Sequence, residues 1–146
     1  MKIAIACDHG ALELKAAVKE HLLETGYEVE DFGTHTPDSC DYPDFVAPAA
    51  KAVAAGACEM GIVLCSTGIG VSIAANKVDG IRCALLSDLM SARLTREHND
   101  TNMMAMGAFI VGKALALQIV DTWLTTPFSQ GERHQRRIDK LTALEK

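Results

Sequence analysis

From its second residue the chain alternates short apolar runs with amphipathic ones, and that alternation admits few folds. Lys2 to Cys7 reads as a strand. Residues 11–25 read as a helix, with Leu14, Val18 and Leu22 on one face and Gly26 as its stop. Residues 27–32 alternate as a second strand, and residues 33–43, rich in turn formers, make the longest stretch without structure of its own. An Ala-rich helix ends near Gly56, residues 61–65 form a third strand, and a glycine turn launches a helix to about Asn76. A fourth strand over 81–86, a helix over 89–98, a short fifth strand over 103–106 and a helix over 113–124, closed by Pro127, complete the series. Strands that alternate with helices pack as βαβ units. The predicted architecture is therefore α/β: a three-layer αβα sandwich around a five-stranded parallel sheet. Residues 132–146 are an extra C-terminal helix, left over once the layers are complete, and such an arm commonly packs on a partner subunit. No repeat or second domain is visible, and 146 residues suit one domain with a proper core.

Composition narrows the classes. With 49% apolar and 23% charged residues the chain reads as soluble and globular, and a net charge of -5 argues against general affinity for nucleic acid. Apolar runs are too short for a membrane span, and the first residues enter a strand with no signal-peptide pattern. Cys7, Cys40, Cys58, Cys65 and Cys83 contain no C-x-x-C pair, so neither a disulfide framework nor a zinc ribbon is indicated. A reducing cytoplasm is expected. Cys7 and Cys83 lie in apolar strand runs and read as small core residues, whereas Cys40 and Cys58 give no signal.

In open parallel sheets ligands bind at the carboxyl ends of the strands, so the tips after strands one, three and four are expected to be neighbours. Those tips carry Asp8-His9-Gly10, the stretch from Cys65 to Ser72, and Ser87-Asp88. Cys65 stands where a strand gives way to a glycine turn and a helix. The free N–H groups and positive end of that helix favour a thiolate, or an anionic oxygen bound beside it.

Better-known anion loops do not fit. A Walker loop needs Lys then Ser or Thr after its second glycine, a dinucleotide fingerprint needs a third glycine where Ile73 stands, and a cysteine phosphatase loop needs an arginine where Val71 stands. What remains is a cysteine facing backbone N–H donors. This suits a moderately charged oxyanion such as an enediolate, although Gly-x-Gly could also serve only tight strand-to-helix packing.

Other candidates each have a plain structural alternative. His98, before Asn99 and Asp100 in a helix bearing Arg93 and Arg96, suits acid–base work near neutral pH, or simply places favourable charge on the helix end. Asp8 and His9 carry the same ambiguity, since Asp8 could merely cap the following helix. Arg133 and Arg137 fall at i and i+4 and can close on a phosphate as a forked pair; the alternative is a solvated face. Tyr42-Pro43-Asp44 ends the long loop and could mark only a helix start.

Taken together, Ile5-Ala6-Cys7-Asp8-His9-Gly10, Asp41-Tyr42-Pro43, Cys65-Ser66-Thr67-Gly68-Ile69-Gly70 with Ser72-Ile73-Ala74-Ala75-Asn76-Lys77, Gly80-Ile81-Arg82, His98-Asn99-Asp100-Thr101-Asn102, and Gly131-Glu132-Arg133-His134 to Arg137 closely resemble the type B ribose-5-phosphate isomerases, in the family that also holds galactose-6-phosphate isomerase subunits. The blocks span almost the whole chain in the family's order.

The resemblance implies a Rossmann-like sheet and a homodimer, often paired into tetramers, with active sites shared across the dimer interface. It implies that Cys65 is the base moving a proton between C1 and C2, a role filled by glutamate elsewhere in the family. His98 would assist furanose opening, with Thr67 as a proton-relaying hydroxyl. Backbone N–H groups of Ser66, Gly68, Ile69 and Gly70 would hold the enediolate, while Asp8, Tyr42 and Asn99 would contact sugar hydroxyls. His9, Arg133 and Arg137 would take the phosphate. No cofactor or metal is implied, and no His/Asp/Glu cluster with metal-ligand spacing appears.

The expected reaction is interconversion of ribose 5-phosphate and ribulose 5-phosphate through an enediolate. One departure bears on the substrate: many relatives carry an arginine, associated with the phosphate site, where this chain has Phe109. Its loss removes a charge-assisted contact worth roughly 1.5 to 3 kcal/mol. A six-carbon sugar phosphate such as allose or galactose 6-phosphate, or a free sugar, is the alternative substrate. From other classes come a non-catalytic phosphosugar-binding module, which would need neither Cys65 nor His98, and a redox-sensing thiol, for which Cys65 has no evident resolving partner.

Overall fold

The computed structural model describes residues 1–146. Five strands, β1 (Lys2–Cys7), β2 (Glu28–Asp31), β3 (Met60–Cys65), β4 (Cys83–Leu85) and β5 (Met103–Gly107), form one parallel sheet in the order β2-β1-β3-β5-β4. Six helices accompany them: α1 (Leu12–Glu24), α2 (Pro43–Ala54), α3 (Ile69–Asn76), α4 (Leu89–Asn99), α5 (Lys113–Thr125) and α6 (Glu132–Thr142). The α/β architecture read from the alternation is the one observed.

Strand residues sort by parity between two helix layers. Ile3, Ile5, Ile62, Leu64, Met104 and Met106 pack with Leu14, Val18 and Leu22 of α1 and Ile119, Val120 and Trp123 of α5. Ala4, Ala6, Val63 and Ala105 face α2 and α3, meeting Val46, Ala50, Val71 and Ala75. Small strand residues on this second face let α2 and α3 lie close to the sheet, which brings the α3 turn down onto the strand ends. Trp123 is fully buried, and its indole N–H donates to Thr101 Oγ1 at 3.0 Å, pinning α5 to the loop that follows α4.

Two details differ from the sequence reading. β4 is only three residues long and lies at the sheet edge, where Cys83 is half-buried instead of a core residue. The Asn76 amide occupies that edge, donating to the Cys83 carbonyl at 2.9 Å and accepting its N–H at 2.8 Å, which satisfies backbone groups an edge strand would leave open. Secondly, β5 stands between β3 and β4. The tips of β1 and β3 are direct neighbours at the switch point of the sheet, whereas the tip of β4 is one strand removed.

Candidate active site

Cys65 is the last residue of β3 and is 6% exposed. Its sulfur accepts the Gly68 N–H at 3.1 Å, so the thiol is aimed into the turn that starts α3. Gly68, at φ 79, adopts the left-handed backbone that lets this turn close so tightly. The backbone N–H groups of Ser66, Thr67 and Gly70 take no backbone acceptor, and Thr67 Oγ1 accepts the Ile69 N–H at 3.2 Å. A sulfur atom and several free N–H donors therefore share one small volume at the positive end of a helix. That arrangement can abstract a proton and hold the oxyanion it creates.

The β1 tip and the long loop close around this turn. Asp8 accepts the Gly10 N–H at 2.9 Å, folding its own turn, while Ala11 caps α1 without a side-chain bond, so Asp8 is not the helix cap. A Cβ on Gly10 would stand 3.2 Å from Asp8 Oδ1 and 3.4 Å from the Ser66 nitrogen, which measures how near the two tips lie. The Tyr42 ring rests on Gly70, where an added Cβ would fall 2.7 Å from Cζ. His9 Nδ1 accepts the Cys40 N–H at 3.3 Å and lies 3.7 Å from the Cys40 sulfur. Phe109, 80% exposed, donates its N–H to the Ser66 carbonyl at 2.8 Å and stands at the same edge.

His98, Asn99, Arg133 and Arg137 are elsewhere. α4 starts at the carboxyl edge, where Asp88 caps it by accepting the Ser91 N–H at 2.7 Å, and runs back beneath the sheet. Its far end is held by Arg82, which precedes β4 and donates to the carbonyls of Asn99 at 2.9 Å and Asp100 at 2.8 Å. Asn102 next to it accepts the Gly61 N–H with its carbonyl at 2.9 Å, and Gly61 begins the run that ends at Cys65. His98 and Asn99 thus lie at the amino edge, separated from Cys65 along the sheet by four strand residues, ~13 Å.

At that amino edge the His98 ring stacks on His134 of α6, with centroids 4.4 Å apart and planes at 34°. Arg133 and Arg137 flank His134 on the same helix and stand exposed, while the chain's arginine ion pairs belong to Arg82, Arg93 and Arg96. Within one chain the candidate residues form two clusters on opposite edges. Asp8, His9, Tyr42 and the Cys65–Gly70 turn make one; His98, Asn99, Arg133 and Arg137 make the other.

The model of the ribose/galactose isomerase family matches residues 3–141. The chain belongs to this family. It is 48% identical over 144 residues to ribose-5-phosphate isomerase B of Escherichia coli, covering 99% of this chain and 96% of that one. The structure of Clostridium thermocellum ribose-5-phosphate isomerase B superposes with a TM-score of 0.96 at 52% identity, covering 99% of this chain and 97% of that chain. A family structure from Mycoplasma genitalium, solved with bound ribulose 5-phosphate, matches with a TM-score of 0.94 at 39% identity, over 98% of this chain and 95% of that chain.

A cavity of about 220 Å³ opens beside the turn that follows Cys65, lined by Thr67, Ile69, Leu85, Leu86, Ser87, Gly107 and Ile110. A more open one of about 750 Å³ lies between the ends of α3 and α6, β4 and α4, and touches Asn99 alone of the candidate residues. The chemistry follows the geometry at Cys65, not cavity size. Three of the other thiols are poor competitors: burial pushes those of Cys7 and Cys58 up to about 11, with Glu30 adding to the effect at Cys58, and that of Cys83 up to about 12.

Two residues in contact with the candidates gave no signal in the sequence. Cys40 touches His9 across the long loop, a contact between residues far apart in the chain. His134 sits inside the arginine block, and the pattern that singled out Arg133 and Arg137 at i and i+4 passes over the residue between them.

Proposed function

We propose that the chain is an aldose–ketose isomerase that interconverts ribose 5-phosphate and ribulose 5-phosphate, working as a cytoplasmic homodimer in which each site joins the carboxyl-edge cluster of one copy to the amino-edge cluster of the other. The observation that carries this reading is the division of the candidate residues between opposite edges of one sheet. Cys65 has donors for an oxyanion but no cation near it for a phosphate; His98, Arg133 and Arg137 have a cation pair and an acid–base group but no carbon-acid base. A second copy supplies each half with what it lacks. Exposed apolar side chains around the Cys65 turn, among them Ile69, Ile73, Leu85 and Ile110, give that copy a surface to cover.

The steps balance as follows. His98 takes the proton from the anomeric hydroxyl as the ring C–O bond breaks, and that proton then passes through solvent to the ring oxygen, leaving the open aldehyde and a neutral His98. The Cys65 thiolate removes the C2 proton, and the electron pair moves through C1=C2 to place negative charge on O1, facing the free N–H groups of Ser66, Thr67 and Gly70, since those of Gly68 and Ile69 are taken by the Cys65 sulfur and Thr67 Oγ1. Thr67 relays the hydroxyl proton from O2 to O1, and the cysteine returns its proton to C1, giving the ketone at C2. Arg133, Arg137 and His9 hold the phosphate and so convert remote binding into orientation at C1 and C2. Asp8, Tyr42 and Asn99 fix the sugar hydroxyls.

Assay of ribose 5-phosphate turnover with Cys65→Ala tests the reaction. Loss of activity with retained folding is expected, and a fully active variant removes the proposed base. Phe109 supports a second reading within the same chemistry: an uncharged, exposed ring beside Ser66 fits a longer sugar phosphate as well as a pentose. Relative kcat/KM for ribose, allose and galactose phosphates separates the two.

A further inference from the structure

His134 is half-buried, unlike its neighbours Arg133 and Arg137, and it is braced from two sides. One face lies on the His98 ring at 4.4 Å. At its edge, Nδ1 lies 2.8 Å from Ser129 Oγ, which also accepts the Gly131 N–H at 3.1 Å. Ser129 in turn donates its own N–H to the Glu97 carbonyl at 3.2 Å, and Glu97 is the residue before His98. The loop between α5 and α6 is thereby tied to the last turn of α4, and the tie runs through the His134 ring.

The hydrogen bonds also specify how that ring is used. With the Gly131 N–H occupying one lone pair of Ser129 Oγ, the hydroxyl proton is free to point at His134 Nδ1, which leaves the ring proton on Nε2. Burial holds His134 below the ordinary histidine range, and the neighbouring His98, Arg133 and Arg137 push it the same way against the opposing pull of Glu97. The hydroxyl at Nδ1 and the surrounding charges thus both favour the uncharged form of the His134 ring. A neutral ring can lie against an imidazolium favourably, whereas two charged rings at this spacing would repel.

We propose that His134 is a positioning residue for ring opening: held by Ser129, it fixes the plane of the His98 imidazole and accommodates the charge His98 gains when it takes the anomeric proton. The proposal rests on the reading of His98 as the ring-opening group. It assigns His134 no contact with the sugar. Its effect is confined to the step that His98 performs, and the proton transfer at Cys65 is untouched.

That separation supplies the test. Ribose 5-phosphate reaches the enzyme as a furanose and must be opened. Ribulose 5-phosphate has its terminal hydroxyl blocked by phosphate, stays open, and exchanges its C1 hydrogen with D2O through Cys65 alone. For His134→Ala, kcat from ribose 5-phosphate is expected to fall about 10- to 100-fold, with KM and the C1 exchange rate within about twofold of the parent. His134→Phe, which keeps a flat ring on His98, is expected to recover most of the loss. Ser129→Ala, which frees the ring and also removes the acceptor of the Gly131 N–H at the start of α6, should show the same split in weaker form. An equal fall in isomerisation and exchange would make His134 merely structural, and no fall in either would remove its role; both results overturn the proposal. His98→Asn, measured in parallel, keeps the two ideas apart. If His98→Asn leaves turnover of ribose 5-phosphate intact, the ring-opening assignment itself fails; if His98→Asn shows the split and His134→Ala does not, only the present proposal fails.

Discussion

The ring of Tyr42, at the start of α2, lies against Gly70 in the first turn of α3, so near that a Cβ on the glycine would stand 2.7 Å from Cζ. The long loop therefore ends against the turn that presents Cys65, and the glycine is what permits the approach. Adding a methyl group must displace the phenol, since the clash is with a stiff ring. Gly70→Ala is expected to raise KM for ribose 5-phosphate about tenfold, equivalent to about 1.4 kcal/mol of lost substrate contact, with a smaller effect on kcat. Tyr42→Phe, which keeps the ring and removes only its hydroxyl, should raise KM less. Steady-state kinetics of the two variants checks this; an unchanged KM in Gly70→Ala would mean that Tyr42 does not contact the sugar.

Cys65 is nearly buried, and its sulfur is tied to the turn by one N–H. Replacing it with alanine removes little volume, so the melting temperature should stay within a few degrees, while kcat falls by about 100-fold or more through loss of the base. Cys7 and Cys58, held protonated by burial, should be replaceable by alanine or serine with effects on stability alone. Thiol alkylation followed by peptide mapping provides an independent check: substrate should protect Cys65 and leave the others unaffected.

Beneath the long loop, Lys15 is buried and donates to Asp31 Oδ1 at 2.9 Å and to the Thr34 carbonyl. Burial alone would raise the Asp31 carboxyl, but hydrogen bonds from Lys15, Gly33 and Lys19, with the Lys15 charge, outweigh it and hold the group below the usual carboxylate range. A depressed folded-state value means that stability from ionised Asp31 is fully present above the ordinary aspartate range and is lost as pH falls through the folded-state value. Asp31→Asn should therefore cost about 3 kcal/mol at neutral pH, because Lys15 is left without its counter-charge. The gap between parent and variant should close below about pH 4. Melting curves over pH 3 to 8 test the sign, and a gap that widens in acid would contradict it.

Phe109 stands 80% exposed beside the Ser66 carbonyl, at a position with no cation of its own. If the phosphate of ribose 5-phosphate reaches this edge, Phe109→Arg adds a charge-assisted contact worth roughly 1.5 to 3 kcal/mol and should raise kcat/KM for that substrate by about tenfold or more. The gain should shrink with added salt. A loss of activity toward ribose 5-phosphate together with a greater loss toward a six-carbon sugar phosphate would instead mark the ring as part of the sugar pocket.

Much of this molecule can be read before it is folded, because the signals involved are local. Strand and helix periodicity, Gly26 as a stop and the glycine turn after Cys65 each act over a few residues, and all lie where they were expected. β4 is shorter than its apolar run because it is an edge strand with a contact that no periodicity encodes, the Asn76 amide bound to the Cys83 backbone. The site is legible residue by residue but not in its arrangement. Cys65 and His98 both look like catalytic groups, yet only the strand order and the direction of α4 place them on opposite edges. Cys40 and His134 escape the sequence for a related reason: a residue that packs against His9 or His98 is defined by tertiary contact, not by spacing.

The shared site is the central claim, and complementation measures it most directly. Cys65→Ala and His98→Asn, each nearly inactive alone, are mixed, unfolded and refolded together. A mixed dimer then holds one site with both defects and one with neither. Random pairing makes half of the dimers mixed, so the account predicts recovery of about a quarter of wild-type turnover of ribose 5-phosphate. If Cys65 and His98 of the same chain formed the site, every site would carry one defect, and the mixture would stay as inactive as its parts.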